Sequence, residues 1–184
     1  MSYESSLIIN ACMITASQCA LIVGYFKRKQ PKKAASSFLV WLLTISFLFY
    51  IYNFKVYVPA FILTCTTITL IGHFFLGNYI DLYHKSTTYD RWLHLLGAFS
   101  SSLLVFSVLN SAIIPFPDSD FYMSFFVMTL GVFIGTLFEI LEFMHDVVSK
   151  KKKLPCQHGL ADTDYDMIFN LLGSIIAGFA VRLL

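Results

Sequence analysis

Charge is what this sequence most lacks. Only 13% of its 184 residues are Asp, Glu, Lys or Arg, where a soluble domain carries about 25%. That is too little to coat a water-facing surface, and 57% of the residues are apolar. A typical soluble enzyme, a disordered chain and a free nucleic-acid binder are therefore excluded. Cysteine pairs are missing too. Cys12, Cys19, Cys65 and Cys156 form no C-x-x-C, and three of them lie in apolar runs. Neither a disulfide framework nor a zinc site follows. No Lys or Arg precedes the first apolar run, whereas a secretory signal peptide needs a basic start, so that run reads as a retained helix. There is no phosphate loop, dinucleotide fingerprint or serine nucleophile elbow, and no internal repeat.

What is present is long apolar runs. A membrane-spanning helix needs about 20 mostly apolar residues. Six candidates occur, at residues 6–26, 36–52, 56–75, 91–114, 121–145 and 165–184. Helices are expected because backbone groups in lipid must be satisfied within the segment. The runs are also too long and too continuously apolar for barrel strands. The expected fold is all-α, a polytopic integral membrane protein with six transmembrane helices in one bundle and a single domain over 1–184. Pro59 is expected in the first turn of the third helix, where proline is tolerated. Asn53, Phe54 and Lys55 form a short link before that helix. Tyr50, Tyr52, Phe54, Tyr57 and Trp92 near the boundaries read as interfacial anchors.

The basic residues alternate. The first loop holds Lys27, Arg28, Lys29, Lys32 and Lys33, the third Lys85 and Arg91, and the fifth Lys150 to Lys153. Eleven of the 13 basic residues thus fall on alternate loops. The opposite side has Lys55, Arg182 and an acidic turn with Asp118 and Asp120. Lys and Arg accumulate in cytoplasmic loops, so both termini are expected outside, with the first, third and fifth loops inside.

The remaining ionisable residues gather at the cytoplasmic end. All five histidines and eight of the 11 acids lie there. Such groups are costly in a span unless paired or hydrated, and they tend to mark function. Asp90 and His94 are four apart and share a helix face. Glu139, Glu142 and Asp146 share another, which Gly131 and Gly135 extend. Small residues at that spacing admit a neighbouring helix. Asp162, Asp166 and Asn170 repeat every four residues, and Gly173 and Ala177 follow on the same face. Several carboxylates close together cannot all ionise in low dielectric without a counter-charge. A bound metal, shared protons, or pairing with Arg91 and His94 would each resolve this. Carboxylates with an imidazole suit zinc, manganese or iron; carboxylates alone suit magnesium or calcium. His73 ends the third run and is either a cavity residue or an interfacial one. His84 and His158 read as solvated, His145 as a weaker ligand, and Cys156 beside His158 as a poor case for a thiol–base pair. Asn10 and Ser17 read as ordinary interface polars.

The same residues carry a resemblance. Tyr89-Asp90-Arg91-Trp92-Leu93-His94, Phe138-Glu139-Ile140-Leu141-Glu142-Phe143 and Asp162-Thr163-Asp164-Tyr165-Asp166-Met167 resemble three signature blocks of the YjdF-like bacterial inner-membrane proteins. Phe138 stands where those proteins have an aromatic hydroxyl, and Asp164 where they have glutamine. More loosely, Asp90 to His94, Glu139 to Glu142 and Asp166 to Gly173 are similar to the blocks of VanZ-like proteins, which are linked to glycopeptide-antibiotic tolerance. The resemblance implies a bacterial plasma-membrane protein and brings no activity with it.

These readings lead to a cytoplasm-facing cluster between the fourth, fifth and sixth helices. Its expected residues are Asp90, His94, Glu139, Glu142, Asp162 and Asp166. His94, Glu139, Glu142 and Asp166 are the expected ligands of a divalent metal ion or the acid–base groups. Asp90 and Asp162 would orient them. The expected function is a metal-dependent hydrolase or transferase acting on a lipid-linked or amphiphilic substrate. The alternatives are a proton- or ion-coupled transporter, and a non-catalytic scaffold or envelope-stress protein. The expected surroundings are a lipid bilayer, with no nucleic acid.

Overall fold

The computed structural model describes residues 3–112, 119–148 and 159–183, and among them there is no strand. The helices in chain order are α1 (Tyr3–Lys27), α2 (Pro31–Asn53), α3 (Ala60–Ile71), α4 (Leu82–Lys85), α5 (Tyr89–Ala112), α6 (Asp120–Val148) and α7 (Leu160–Ala180). A π-helical stretch, Gly72–Tyr79, continues α3, and a 3-10 turn, Val181–Leu183, ends α7. Among the described residues six helices are long and apolar enough to cross a membrane, with α3 and its π-helical continuation counting as one. The chain is an all-α, multi-pass membrane protein. The acidic turn before Asp120, the lysines at 150–153, Cys156 and His158 lie outside the described residues.

The helix ends differ from the edges of the apolar runs where a local signal overrides hydropathy. Pro31 opens α2 at its first position, where a missing N–H costs nothing. Lys32 and Lys33 therefore belong to the helix. Lys29, at φ 56°, turns the chain between α1 and α2. Pro59 sits just before α3 with an extended ψ of 140°, so it caps the helix instead of occupying its first turn. Lys55, at φ 52°, marks the preceding bend.

Polarity is arranged for lipid. Phe49, Phe61, Phe133, Leu141 and Phe179 point outward. Asn10, Gln18, Ser100, Ser102, Asn170 and Ser174 are buried. Apolar side chains lose nothing in hydrocarbon, while polar ones need protein partners there.

Close contacts cluster into two units. One holds α1 to α4 and the end of α5 from Ser107 onward. In it α1 buries Ser6, Asn10, Ile14, Gln18, Leu21 and Tyr25 along one face, at the three-to-four-residue spacing of a helix stripe. Tyr3 Oη donates to the Val56 carbonyl at 2.8 Å, Asn10 Nδ2 lies 3.4 Å from Thr64 Oγ1, and Trp41 Nε1 donates to Thr15 Oγ1 at 3.1 Å. Arg28 Nη1 donates to the Tyr79 carbonyl at 3.0 Å, with the guanidinium 3.8 Å from that ring's centre. These contacts tie α1 to both its neighbours.

The other unit holds the rest of α5 with α6 and α7. Here the glycines set the separations. Gly131 backs onto Ser174 and Ser102, Gly135 onto Asn170, Gly173 onto the Leu95 carbonyl, and Gly178 onto Met128 and Ser124. None of the four leaves room for a methyl group without movement. Small residues of this kind let helix backbones approach closely in lipid. At the far end Arg182 Nε donates to Ser124 Oγ at 3.1 Å.

Candidate metal centre in the α5–α7 unit

The first two turns of α5, the last turns of α6 and the first turns of α7 carry the acids and the imidazole. Asp90 and His94 are one turn apart, and His94 Nε2 lies 3.5 Å from Asp90 Oδ1. The same nitrogen lies 3.5 Å from Glu139 Oε1 on α6. Glu139 is only 5% exposed. Glu142, one turn further along α6, completes a trio with His94 and Glu139 whose ligand atoms lie within 4.8 Å of one another. Asp90, His94 and Asp166 form a second trio on the same criterion. Asp166 is 2% exposed, and its Oδ1 has no hydrogen-bond partner.

His94 is the shared member, and its other nitrogen is held. Asn170 Nδ2 lies 3.2 Å from His94 Nδ1. With the amide NH2 donating, Nδ1 accepts and Nε2 carries the proton toward the carboxylates. With the amide turned over, Asn170 Oδ1 accepts from Nδ1–H and Nε2 presents a lone pair. Asn170 is thus the partner that selects the tautomer. The lone-pair form suits a metal. Zinc bonds of about 2.0–2.2 Å in tetrahedral geometry put neighbouring ligand atoms ~3.4 Å apart. Each trio has one Nε2–oxygen distance near that spacing, 3.5 Å to Asp90 in one and 3.5 Å to Glu139 in the other.

Of the six residues expected from the sequence, five fall into the trios: Asp90, His94, Glu139, Glu142 and Asp166. Asp162 is half-buried and joins neither. Asp90, expected to orient the others, has a carboxylate oxygen within the same 4.8 Å of His94 and Asp166. The four expected ligands divide between two trios that share His94. Asp146 stays outside them, with His145 Nδ1 at 3.8 Å. His84 pairs with Asp81 at 2.6 Å, and His73 with the Tyr83 hydroxyl at 2.6 Å, both in the first unit. Phe138 is 51% exposed on the outward side of α6.

One expected counter-charge acts on the cluster without direct contact. Arg91 makes no ion pair with any carboxylate among the described residues. Its guanidinium sits 4.0 Å from the centre of the Tyr165 ring, and its buried Nε has no hydrogen-bond partner. Neither Tyr165 beneath Arg91 nor Asn170 against His94 was singled out from the sequence for these contacts. Tyr165 lies between Asp164 and Asp166, and Asn170 lies in the Asp162–Asp166 stripe. That spacing was the available signal.

A model of a family described as a predicted membrane protein (DUF2238) matches residues 9–184. The chain belongs to this family. An uncharacterised protein of Thermotoga maritima is 36% identical over 104 residues, which is 55% of this chain and 51% of that protein. The chain thus spans about half the length of this curated relative. No solved structure matches the chain. The matches support a membrane family of uncharacterised activity. The finer YjdF-like and VanZ-like likeness stands on the three sequence blocks alone.

Proposed function

We propose that the α5–α7 unit binds one divalent metal ion and uses it for hydrolysis or group transfer on a lipid-linked or amphiphilic substrate. The observation that carries this reading is Asp166. It is almost wholly buried, its Oδ1 has no hydrogen-bond partner, and it is one of four carboxylates grouped about one imidazole. Removing such a group from water costs several kcal/mol unless a partner is supplied. A divalent cation held through His94 would supply that partner to one of the two carboxylate sets.

His94 would ligate through Nε2, with Glu139 and Glu142 on one side or Asp90 and Asp166 on the other. Asp162 would act on the ligands from outside. A metal held by three protein groups keeps a position for water or substrate. It can lower the pKa of bound water or polarise a phosphoryl or carbonyl oxygen. A carboxylate from the trio not engaged by the ion is placed to take the proton. The alternating basic loops favour a plasma-membrane location with both termini outside and the cluster open to the cytoplasm.

Elemental analysis of detergent-purified protein tests the reading. Wild type should carry near-stoichiometric metal, and a folded His94→Ala/Glu142→Gln double variant should lose it. If wild type binds none after chelator-free purification and reloading, metal chemistry is refuted. The cluster would then be an acid–base, proton-linked or purely structural network.

A further inference from the structure

The least explained cation in the chain is Arg91. Arginine carries five N–H donors and stays charged. Arg91 sits in the first turn of a membrane-spanning helix, where an unpaired charge is expensive. Asp90 precedes it and its charge reaches Asp166, yet no carboxylate among the described residues lies within ion-pair distance of it, and its buried Nε donates to nothing. The Tyr165 ring holds the guanidinium at 4.0 Å. Cation–π contact fixes the plane of the group and leaves the N–H edges available. Arg91 follows Asp90 in the chain, and Tyr165 precedes Asp166. Adjacent residues on a helix point apart, but the charge of Arg91 reaches Asp166, a member of one trio.

We propose that Arg91, stacked on Tyr165, receives the phosphate of a phosphorylated amphiphile next to the acidic cluster. The class of ligand follows from charge and shape. Four carboxylates carry up to four negative charges, so an anion approaching them is repelled unless a fixed cation receives it. The guanidinium fork matches a phosphate oxyanion with two parallel N–H bonds. The phosphate would then lie where a neighbouring metal could polarise it. Delivery of the anion to a reaction centre rests on the metal reading above. Anion binding by Arg91 does not.

Titration calorimetry of detergent-purified protein in uncharged maltoside micelles tests this, with dodecyl phosphate and inorganic phosphate as probes. Wild type should bind dodecyl phosphate, and Arg91→Gln should bind it about tenfold more weakly or worse while keeping its metal content. Equal affinity in the two proteins overturns the proposal, as does no binding of either probe to wild type. Arg91-dependent binding that is equal for both probes supports the phosphate site and makes its natural ligand a soluble phosphate. If Arg91→Gln does not fold, Arg91→Lys replaces it. This variant keeps the charge and loses the fork, so weaker binding supports the proposal and unchanged binding overturns it. Metal-free wild type with Arg91-dependent phosphate binding would remove the metal reading alone. Metal-loaded protein blind to phosphate would remove this one alone.

Discussion

Gly173→Ala is the most informative single substitution, because a glycine on α7 meets a backbone atom there. Its missing Cβ would run into the carbonyl oxygen of Leu95 on α5. A carbon and a carbonyl oxygen need about 3.3 Å between them, and a main-chain carbonyl cannot rotate away. The two helices must separate by on the order of 1 Å. Leu95 follows His94 directly, and Asn170 lies one turn before Gly173. The 3.2 Å contact between Asn170 and His94 would stretch beyond hydrogen-bonding range, and the Asp90–His94–Asp166 trio would open with it. Overpacking costs roughly 1–3 kcal/mol, and the lost hydrogen bond adds about 1 kcal/mol. Losing the partner that orients a ligand histidine weakens metal binding about 10–100-fold. Thermal unfolding in detergent, with and without saturating metal, reads both effects. The internal control is Gly131→Ala. Its obstacles are the Ser174 hydroxyl, which can turn aside, and the Ser174 Cβ at 2.9 Å, which needs a smaller shift than the Leu95 carbonyl does, so its cost should be smaller. If Gly173→Ala melts and binds metal as wild type does, the close approach of α5 to α7 is wrong, and the assembled cluster goes with it.

Two further substitutions probe buried amides. Gln18 is fully buried, and neither its Oε1 nor its Nε2 has a hydrogen-bond partner. Gln18→Leu should therefore raise stability by about 1–3 kcal/mol, seen as a higher melting temperature; a lower one means the amide is satisfied by a bound molecule. Asn170→Ala should leave the helices formed and weaken metal affinity about 10–100-fold. Wild-type affinity in that variant, measured by metal titration, would remove Asn170 as the selector of the His94 tautomer.

The spans were legible in the sequence because lipid imposes a length and a polarity on each of them. Their ends were less so. Pro31 and Pro59 set where α2 and α3 begin through backbone geometry, which hydropathy does not register. The cluster was legible because spacing of three or four residues puts Asp90 with His94 and Glu139 with Glu142 on shared faces. What spacing within a helix cannot give is the register between helices. That register leaves Arg91 on Tyr165 instead of on a carboxylate, brings Asn170 to the imidazole, excludes Asp162 from both trios, and buries Gln18. The continuation of α3 as a π-helix over Gly72–Tyr79 had no sequence cue either. It carries His73, whose ring is taken by Tyr83.

The sharing of His94 between two carboxylate sets has an arithmetical consequence. An imidazole nitrogen has one lone pair, and Nδ1 is occupied by Asn170, so only Nε2 can be given to a cation. The trio on α5 and α7 and the trio with α6 are therefore competitors for a single donor, two half-sites that cannot be filled together through it. An ion on one side would leave the carboxylates of the other side without it. A single ion held through Nε2 would therefore choose between the carboxylates of α6 and the carboxylate of α7, with His94 on α5 common to both.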